Sequence, residues 1–133
     1  MNILFYGYGN HAKRIKKFLD GHIKGPKNYC FLNRNKEKIN NLDTFDNIHD
    51  AIKKFKSFSC VFIASPNENH LDNFKDCLKY DIPYIYVEKP AIGIEEFIEK
   101  RSFKVPINFL QIGYHYNYSP AITQLKKLID DRS

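Results

Sequence analysis

The chain has 133 residues, enough for one domain with a hydrophobic core. Hydrophobic residues make up 43% and charged residues 27%, a balance that excludes a disordered chain and offers no membrane-spanning run. The sequence opens without the basic and apolar regions of a signal peptide, so we expect a cytoplasmic protein with no membrane partner. The three cysteines, Cys30, Cys60 and Cys77, lie in apolar runs without metal-site spacing, which favours buried free thiols.

The formal net charge is +6, and the lysines that cause it are scattered over several predicted helices. They form no basic stripe and accompany no recognition helix or zinc pattern, so nucleic-acid binding is disfavoured. A solvated basic surface that also suits phosphate-bearing ligands explains the charge better. Salt-sensitive retention on DNA would be the test of the nucleic-acid alternative.

The first predicted elements are a strand and a helix joined by glycines. The apolar run Ile3–Tyr6 predicts a strand buried on both faces. Apolar residues then recur at helical spacing, at Ala12, Ile15, Phe18 and Leu19. Between the two lies Gly7–Ala12, which reads G-x-G-x-x-A, and a strand–glycine turn–helix context is typical of a dinucleotide-binding fingerprint.

Each small residue of this segment has a predicted physical role. Gly7 turns the chain sharply off the strand, and Gly9 lets the backbone approach a pyrophosphate. Ala12 lets the helix pack closely against the strand. Asn10 and His11 begin the helix, where unpaired N–H groups and the helix dipole favour phosphate. The alternative is that the glycines only make a turn between a strand and a helix.

A second buried strand, Asn28–Leu32, ends at two residues that bear on the choice of cofactor. In NAD-binding folds of this type an acidic residue near this position bonds the ribose 2′-hydroxyl. Here Asn33 can bond a hydroxyl without repelling a phosphate, and Arg34 can pair with a 2′-phosphate or stack on adenine. The pair therefore favours NADP, or both NAD and NADP, although Arg34 can equally be an exposed loop residue.

The rest of the chain predicts alternating strands and helices. We expect a short helix at 36–42, an edge strand near Thr44-Phe45, and a helix with Ile48, Ala51, Ile52 and Phe55 on one face, capped by Asp46 or Asn47. Further elements are a strand at 60–64, a helix through 71–78, strand Tyr84–Val87, a helix around 94–100, a strand at 107–114, and a helix opened by Ser119-Pro120 with Ile122, Leu125, Leu128 and Ile129 on one face. This order predicts an α/β fold, a Rossmann-type doubly wound parallel sheet of about six strands with helices on both faces.

Four separated motifs give the chain a resemblance to one family. They are the glycine segment Gly7–Ala12, the S-P-N-x-x-H segment Ser65–His70, the E-K-P segment Glu88–Pro90 and, more weakly, Gly113–Pro120. In order and content they resemble the glucose–fructose oxidoreductase/inositol dehydrogenase family, called Gfo/Idh/MocA. The resemblance covers essentially the whole chain but only the N-terminal half of a usual family member.

The resemblance implies roles for particular residues. Ser65, Pro66 and Asn67 would pass beside the nicotinamide ribose and pyrophosphate, and His70 matches the histidine of that motif. Glu88 and Lys89 match the E-K-P segment, whose lysine lies near the nicotinamide and the substrate hydroxyl and assists catalysis. Plainer alternatives stay open: Asn67 or Asn69 caps the next helix, His70 is an ordinary first-turn residue, and Lys89 is a loop lysine.

Departures from the family pattern limit the expected activity. Asn117 stands where an arginine is common, and the C-terminal catalytic domain, with its substrate contacts and acid–base pair, does not follow; His115 is not in the right context to replace that histidine. We therefore expect residues 1–133 to form a single dinucleotide-binding domain of an oxidoreductase that moves a hydride to or from a sugar-like carbon, with limited activity alone. No metal site is expected.

The same departures leave an alternative, a non-catalytic module that binds a nucleotide or a partner. The final strand and helix, residues 107–131, would then present apolar surface to a second copy or to a partner chain.

Overall fold

The computed structural model describes residues 1–33, 41–99, 109–114, 119–120, 123–124 and 127. Its strands are β1 (Asn2–Tyr6), β2 (Asn28–Leu32), β3 (Asp43–Phe45), β4 (Cys60–Ile63), β5 (Tyr84–Val87) and β6 (Phe109–Ile112). Its helices are α1 (Asn10–His22), α2 (Ile48–Phe55), α3 (His70–Lys79) and α4 (Ile94–Glu99), with a 3₁₀ turn at Asn67–Asn69. Within these ranges no helix has the length and apolar character that crossing a membrane requires.

All six strands pair in parallel in one sheet, in the order β3-β2-β1-β4-β5-β6. The strand order changes direction between β1 and β4, which opens a crevice outside the carboxyl ends of these two strands. The architecture confirms the predicted Rossmann-type α/β fold. It places the ends of all six strands, and the polar residues after them, along one edge of the sheet.

Helices cover both faces of the sheet, as predicted. Ala12 and Leu19 of α1 pack on the face formed by Ile3, Phe5 and Phe31. The opposite face buries the larger cluster, contributed by β-strand residues and by α2, α3 and α4, including Leu4, Val61, Ile85, Ala51, Phe74 and Ile94. Because successive strand residues point to opposite faces, the continuous apolar run at β1 supplies both clusters.

The structure confirms the bounds of several predicted elements and shows other elements to be shorter than predicted. The predicted strands Asn28–Leu32 and Tyr84–Val87 are confirmed to the residue, and Thr44 and Phe45 lie in the edge strand β3. The last strand ends at Ile112, so its predicted extension to Tyr114 is wrong, and Leu42 lies in a turn rather than a helix. The rest of the short helix, residues 36–40, lies outside the described residues.

The start of α2 confirms Asn47, rather than Asp46, as the capping residue. Its side-chain Oδ1 accepts the backbone N–H of Asp50 at 2.9 Å, and its Nδ2 donates to the Asp50 carboxylate at 2.9 Å. Near the end of the chain, the Thr123 N–H donates to the Ser119 carbonyl at 3.0 Å, the helical bond expected after a Ser119 cap. The apolar positions predicted for that helix lie outside the described residues.

The three cysteines are free thiols, as predicted. Cys30 and Cys77 are buried, whereas Cys60 is half-buried. Burial raises the pKa of the Cys60 thiol to about 11 and that of Cys30 to about 12. The Cys77 pKa is raised as well, chiefly by burial. All three thiols therefore stay protonated at neutral pH, which suits packing rather than chemistry.

Candidate functional site

The glycine turn joins β1 to α1 at the point where the strand order changes direction. Gly7 has a φ of +90°, and a Cβ there would lie 2.9 Å from the carbonyl oxygen of Ala64 on the neighbouring strand end. Gly9 has an ordinary φ of −72°, and a Cβ there would meet nothing within 4 Å. Gly7 is thus required by the turn itself, while the space above Gly9 is open to a ligand.

The N-terminus of α1 is unusually accessible to an anion. Gly9 is its N-cap, no side chain caps the helix, and no acidic residue lies in its first turn. Gly9 and Asn10 are exposed, and His11 is partly exposed. The first N–H groups of a helix have no partner within the helix, and the dipole favours negative charge there. This end of the helix is therefore suited to a phosphate group.

Backbone hydrogen bonds hold the residues that follow the strands in fixed positions relative to one another. In each of five cases the N–H of the first residue after a strand donates to the last carbonyl of a neighbouring strand in the sheet, at 2.8–3.1 Å. The donors are Gly7, Asn33, Ala64, Glu88 and Gly113. Consequently the predicted site residues at these positions are held by the sheet rather than by flexible loops, which makes a preformed site.

A crevice of about 530 Å³ extends from Gly7 and Ser65 toward α2 and α3. Its wall includes Asn33 and Pro66, which were predicted as cofactor-binding residues. Amides, carboxylates and phenols line much of the rest, together with the apolar Leu32 and Ile48; the polar side chains include Asp46, Asn47, Asn69, Asn73, Asp76 and Tyr80. Ligand sites are concave spaces with a few convergent polar groups, and this volume accommodates a nucleoside.

The loop after β4 is braced from below by two buried side chains. Asn73 is 1% exposed and donates to Ser65 Oγ at 2.8 Å. His70 is fully buried, and its ring nitrogens lie 2.8 Å from the Ser65 carbonyl and 3.0 Å from the Pro90 carbonyl. His70 thus links the S-P-N loop to the E-K-P loop from the interior, whereas Pro66 and Asn67 are exposed. Neither Asn67 nor Asn69 caps the next helix through its side chain.

A second polar cluster lies on the β5 side of the glycine turn. The Tyr86 hydroxyl donates to Glu88 Oε2 at 2.9 Å, and His11 Nε2 lies 2.6 Å from the same oxygen. His11 Nε2 is buried without hydrogen-bond geometry, so its contact with Glu88 is an electrostatic one. Burial, followed by the bond to Glu88, raises the pKa of Tyr86, so this hydroxyl remains a donor.

The remaining predicted residues are placed as follows. Ala12 is buried where α1 packs on β1, in the packing role that its size predicted. Lys89 is exposed beside Glu88, and the bond between Lys89 and Pro90 is cis. Arg34 lies outside the described residues, so the expected contact with a 2′-phosphate stays a prediction. Within the described ranges no group of three His, Cys, Asp or Glu side chains can hold a metal ion.

Sequence reasoning missed several residues that the structure brings to this edge. Tyr6 at the end of β1, Asn73 and Asp76 on α3, and Tyr80 directly after α3 line the crevice, and Tyr86 reaches Glu88 from β5. Asp46 and Asn47 follow β3, so the rule that ligands bind at carboxyl strand ends could have found them. The others carry no local signal, because only the packing of α3 and β5 determines their neighbours.

A strand, a glycine turn and a helix meet at the switch point of this parallel sheet. This arrangement assigns the chain to the class of proteins with a Rossmann-type fold. No protein-family model matches it, and no curated protein is significantly similar to it. Solved structures are similar in fold. A Bacillus subtilis protein assigned as an oxidoreductase, yvaA, matches with a TM-score of 0.73 at 14% identity over 98% of this chain.

Two further solved structures match over 98% of this chain. A Thermotoga maritima protein assigned as a dehydrogenase has a TM-score of 0.65 at 19% identity, and a Rex-family repressor has 0.64 at 14%. The chain spans 40%, 41% and 60% of the oxidoreductase, the dehydrogenase and the repressor, respectively. At these identities the likeness establishes the shared fold.

Proposed function

We propose that this chain binds a nicotinamide dinucleotide, NAD or NADP, across the carboxyl edge of its sheet. The observation that carries the proposal is the uncapped N-terminus of α1, where Gly9 faces open space beside the crevice. The pyrophosphate would bind the first N–H groups of α1, and the adenosine half would enter the crevice past Asn33. The fold shared with an oxidoreductase and a dehydrogenase supports this arrangement.

We further propose that the chain is the nucleotide-binding part of an oxidoreductase resembling sugar and nucleotide-sugar dehydrogenases. A hydride would move between the nicotinamide and a sugar-like carbon, with Ser65, Pro66 and Asn67 near the nicotinamide ribose and Lys89 assisting at the substrate hydroxyl. The exposed position of Lys89, beside Glu88 at the end of β5, supports that role. The cofactor supplies the redox chemistry, and the protein positions it.

A second candidate function is a nucleotide-binding module without catalysis. The similarity in fold to a repressor favours this candidate, because that protein's name describes regulation rather than chemistry. The two candidates share the dinucleotide and differ in turnover. Oxidation of NADH or NADPH with sugars, sugar phosphates and nucleotide sugars separates them, and robust turnover by the 133-residue chain would contradict the limited activity that we expect.

Fluorescence titration with NADH and with NADPH tests the shared claim. We expect saturable binding of at least one dinucleotide, and the tighter one decides whether Asn33 and Arg34 favour NADP. Absence of saturable binding to both would contradict the proposed function under either candidate.

A further inference from the structure

The cluster of Glu88, Tyr86 and His11 has features beyond those needed to fix two loops. Both Tyr86 and His11 approach the same carboxylate oxygen, Oε2, at 2.9 Å and 2.6 Å. Among the described residues, Oε1 accepts no hydrogen bond from any side chain. The side chain of Glu88 is 17% exposed and that of His11 is 40% exposed. A carboxylate is therefore held in a fixed position while part of it remains accessible.

The backbone packs closely against one side of the cluster. A Cβ at Gly113 would overlap the Tyr86 hydroxyl and lie 3.0 Å from Glu88 Oε2. The Glu88 N–H donates to the Ile63 carbonyl at 2.8 Å, which ties this residue to the end of β4. The raised pKa of Tyr86, caused mainly by burial, keeps its hydroxyl protonated, so the carboxylate retains this donor at any physiological pH.

The position of Glu88 in the strand order indicates which half of a bound dinucleotide the cluster would face. The crevice reaches from the ends of β2 and β3 to the loop after β4, and it includes Asn33, the position that meets the adenosine ribose in folds of this type, but not Glu88. Glu88 follows β5, on the other side of Gly7 in the strand order. A dinucleotide with its pyrophosphate at the start of α1 spans both sides, so its nicotinamide half lies on the side of Glu88.

Charge then distinguishes the two redox forms of the ligand. The oxidised nicotinamide ring is a cation and the reduced ring is neutral. We propose that Glu88, held by Tyr86 and His11, makes this site bind the oxidised dinucleotide in preference to the reduced one. The inference rests on the proposed function, since it requires that a nicotinamide dinucleotide binds at all. It deepens that function by assigning a specificity to residues that the sequence alone does not bring together.

The experiment compares the affinities of NAD⁺ and NADH, and of NADP⁺ and NADPH, measured by calorimetry or by competition against the fluorescence of the reduced form. In Glu88→Gln, which preserves shape and removes charge, the oxidised-to-reduced affinity ratio should fall about tenfold, equivalent to about 1.4 kcal/mol. Glu95→Gln makes the same change at an exposed carboxylate on α4 and should leave the ratio unchanged.

Two outcomes would contradict these claims. If Glu88→Gln still binds NADH and its ratio of oxidised to reduced affinity stays within about twofold of that of the natural chain, the inference is overturned while the proposed function stands. Failure of the natural chain to bind any of the four dinucleotides would overturn the proposed function and the inference together.

Discussion

Gly7 and Gly9 lie two residues apart in one turn, and the structure uses them differently. Gly7 has a φ in the left-handed region and faces the carbonyl of Ala64 at a distance that no Cβ tolerates. Gly9 has a backbone conformation that any residue adopts and faces open space. The sequence motif marks both residues equally, but only Gly7 is required for folding. Gly9 is the position at which the proposed dinucleotide would explain the absence of a side chain.

Stability measurements separate the two glycines. Gly7→Ala should lower the free energy of unfolding by about 2 kcal/mol, because it combines a positive φ with overlap against backbone. Gly21→Ala, within α1 and with no neighbour inside 4 Å, is the matched control and should gain about 0.5 kcal/mol from helix propensity. Urea unfolding followed by circular dichroism measures both, and equal stability of the two variants would contradict the role assigned to Gly7.

At the scale of elements, the site is an assembly of strand ends that α3 connects. His70 opens α3, and its two ring nitrogens lie within hydrogen-bond distance of the carbonyls of Ser65 and Pro90, so one side chain joins the loop after β4 to the loop after β5. Asn73, one turn later, donates to Ser65 Oγ. These two buried polar residues hold the exposed part of the S-P-N loop in place. The resemblance assigned His70 to the cofactor site, and the structure places it directly beneath that loop.

His70→Ala should lower the free energy of unfolding by about 2 kcal/mol, because it removes a buried hydrogen-bond donor between the two loops and opens a cavity. The loosened loops should also weaken dinucleotide binding. His22→Ala removes an exposed histidine at the last turn of α1 and should cost only a few tenths of a kcal/mol. Thermal unfolding and NADH titration of both variants measure the difference, and an unchanged His70→Ala protein would refute the bracing role.

Periodicity and turn residues predicted much of this fold because those signals are local. The apolar runs gave β2 and β5 to the residue, and the glycines marked the turn into α1. The β6 end was missed because Gly113 and Tyr114 continue the apolar pattern, while the residue pairs with β5 end at Val87 and Ile112. The contact between His11 and Glu88 could not be read from the sequence, since 76 positions separate residues that only the sheet order brings together.

At the scale of the whole molecule, the strand order creates one crevice at the switch point of the sheet. Six parallel strands direct every strand end to one edge, and helices on both faces leave that edge open. The proposed hydride transfer depends at this scale on the surface around the Glu88 side of that edge. The expected interface through residues 107–131 stays a prediction, because most of that range lies outside the described residues. Size in solution, measured by light scattering, tests self-association there.

A ligand that binds only the folded chain must also stabilise it. At a concentration of about 100 times the dissociation constant, NADH or NADPH should add about 2.7 kcal/mol to the free energy of unfolding. The midpoint of thermal unfolding should rise by several degrees, and the rise should grow with the logarithm of the ligand concentration. A melting temperature independent of both dinucleotides, up to millimolar concentration, would contradict binding to the folded state.

The most direct test of the central claim compares two identical substitutions on the same helix. Gly9→Asp places a carboxylate at the N-cap of α1, where it fits sterically and should leave folding unharmed, but where it would repel a pyrophosphate. Gly21→Asp introduces the same charge near the other end of α1. We predict that Gly9→Asp loses NADH or NADPH binding while Gly21→Asp retains it. Equal binding by a folded Gly9→Asp protein would show that the dinucleotide does not use the start of α1.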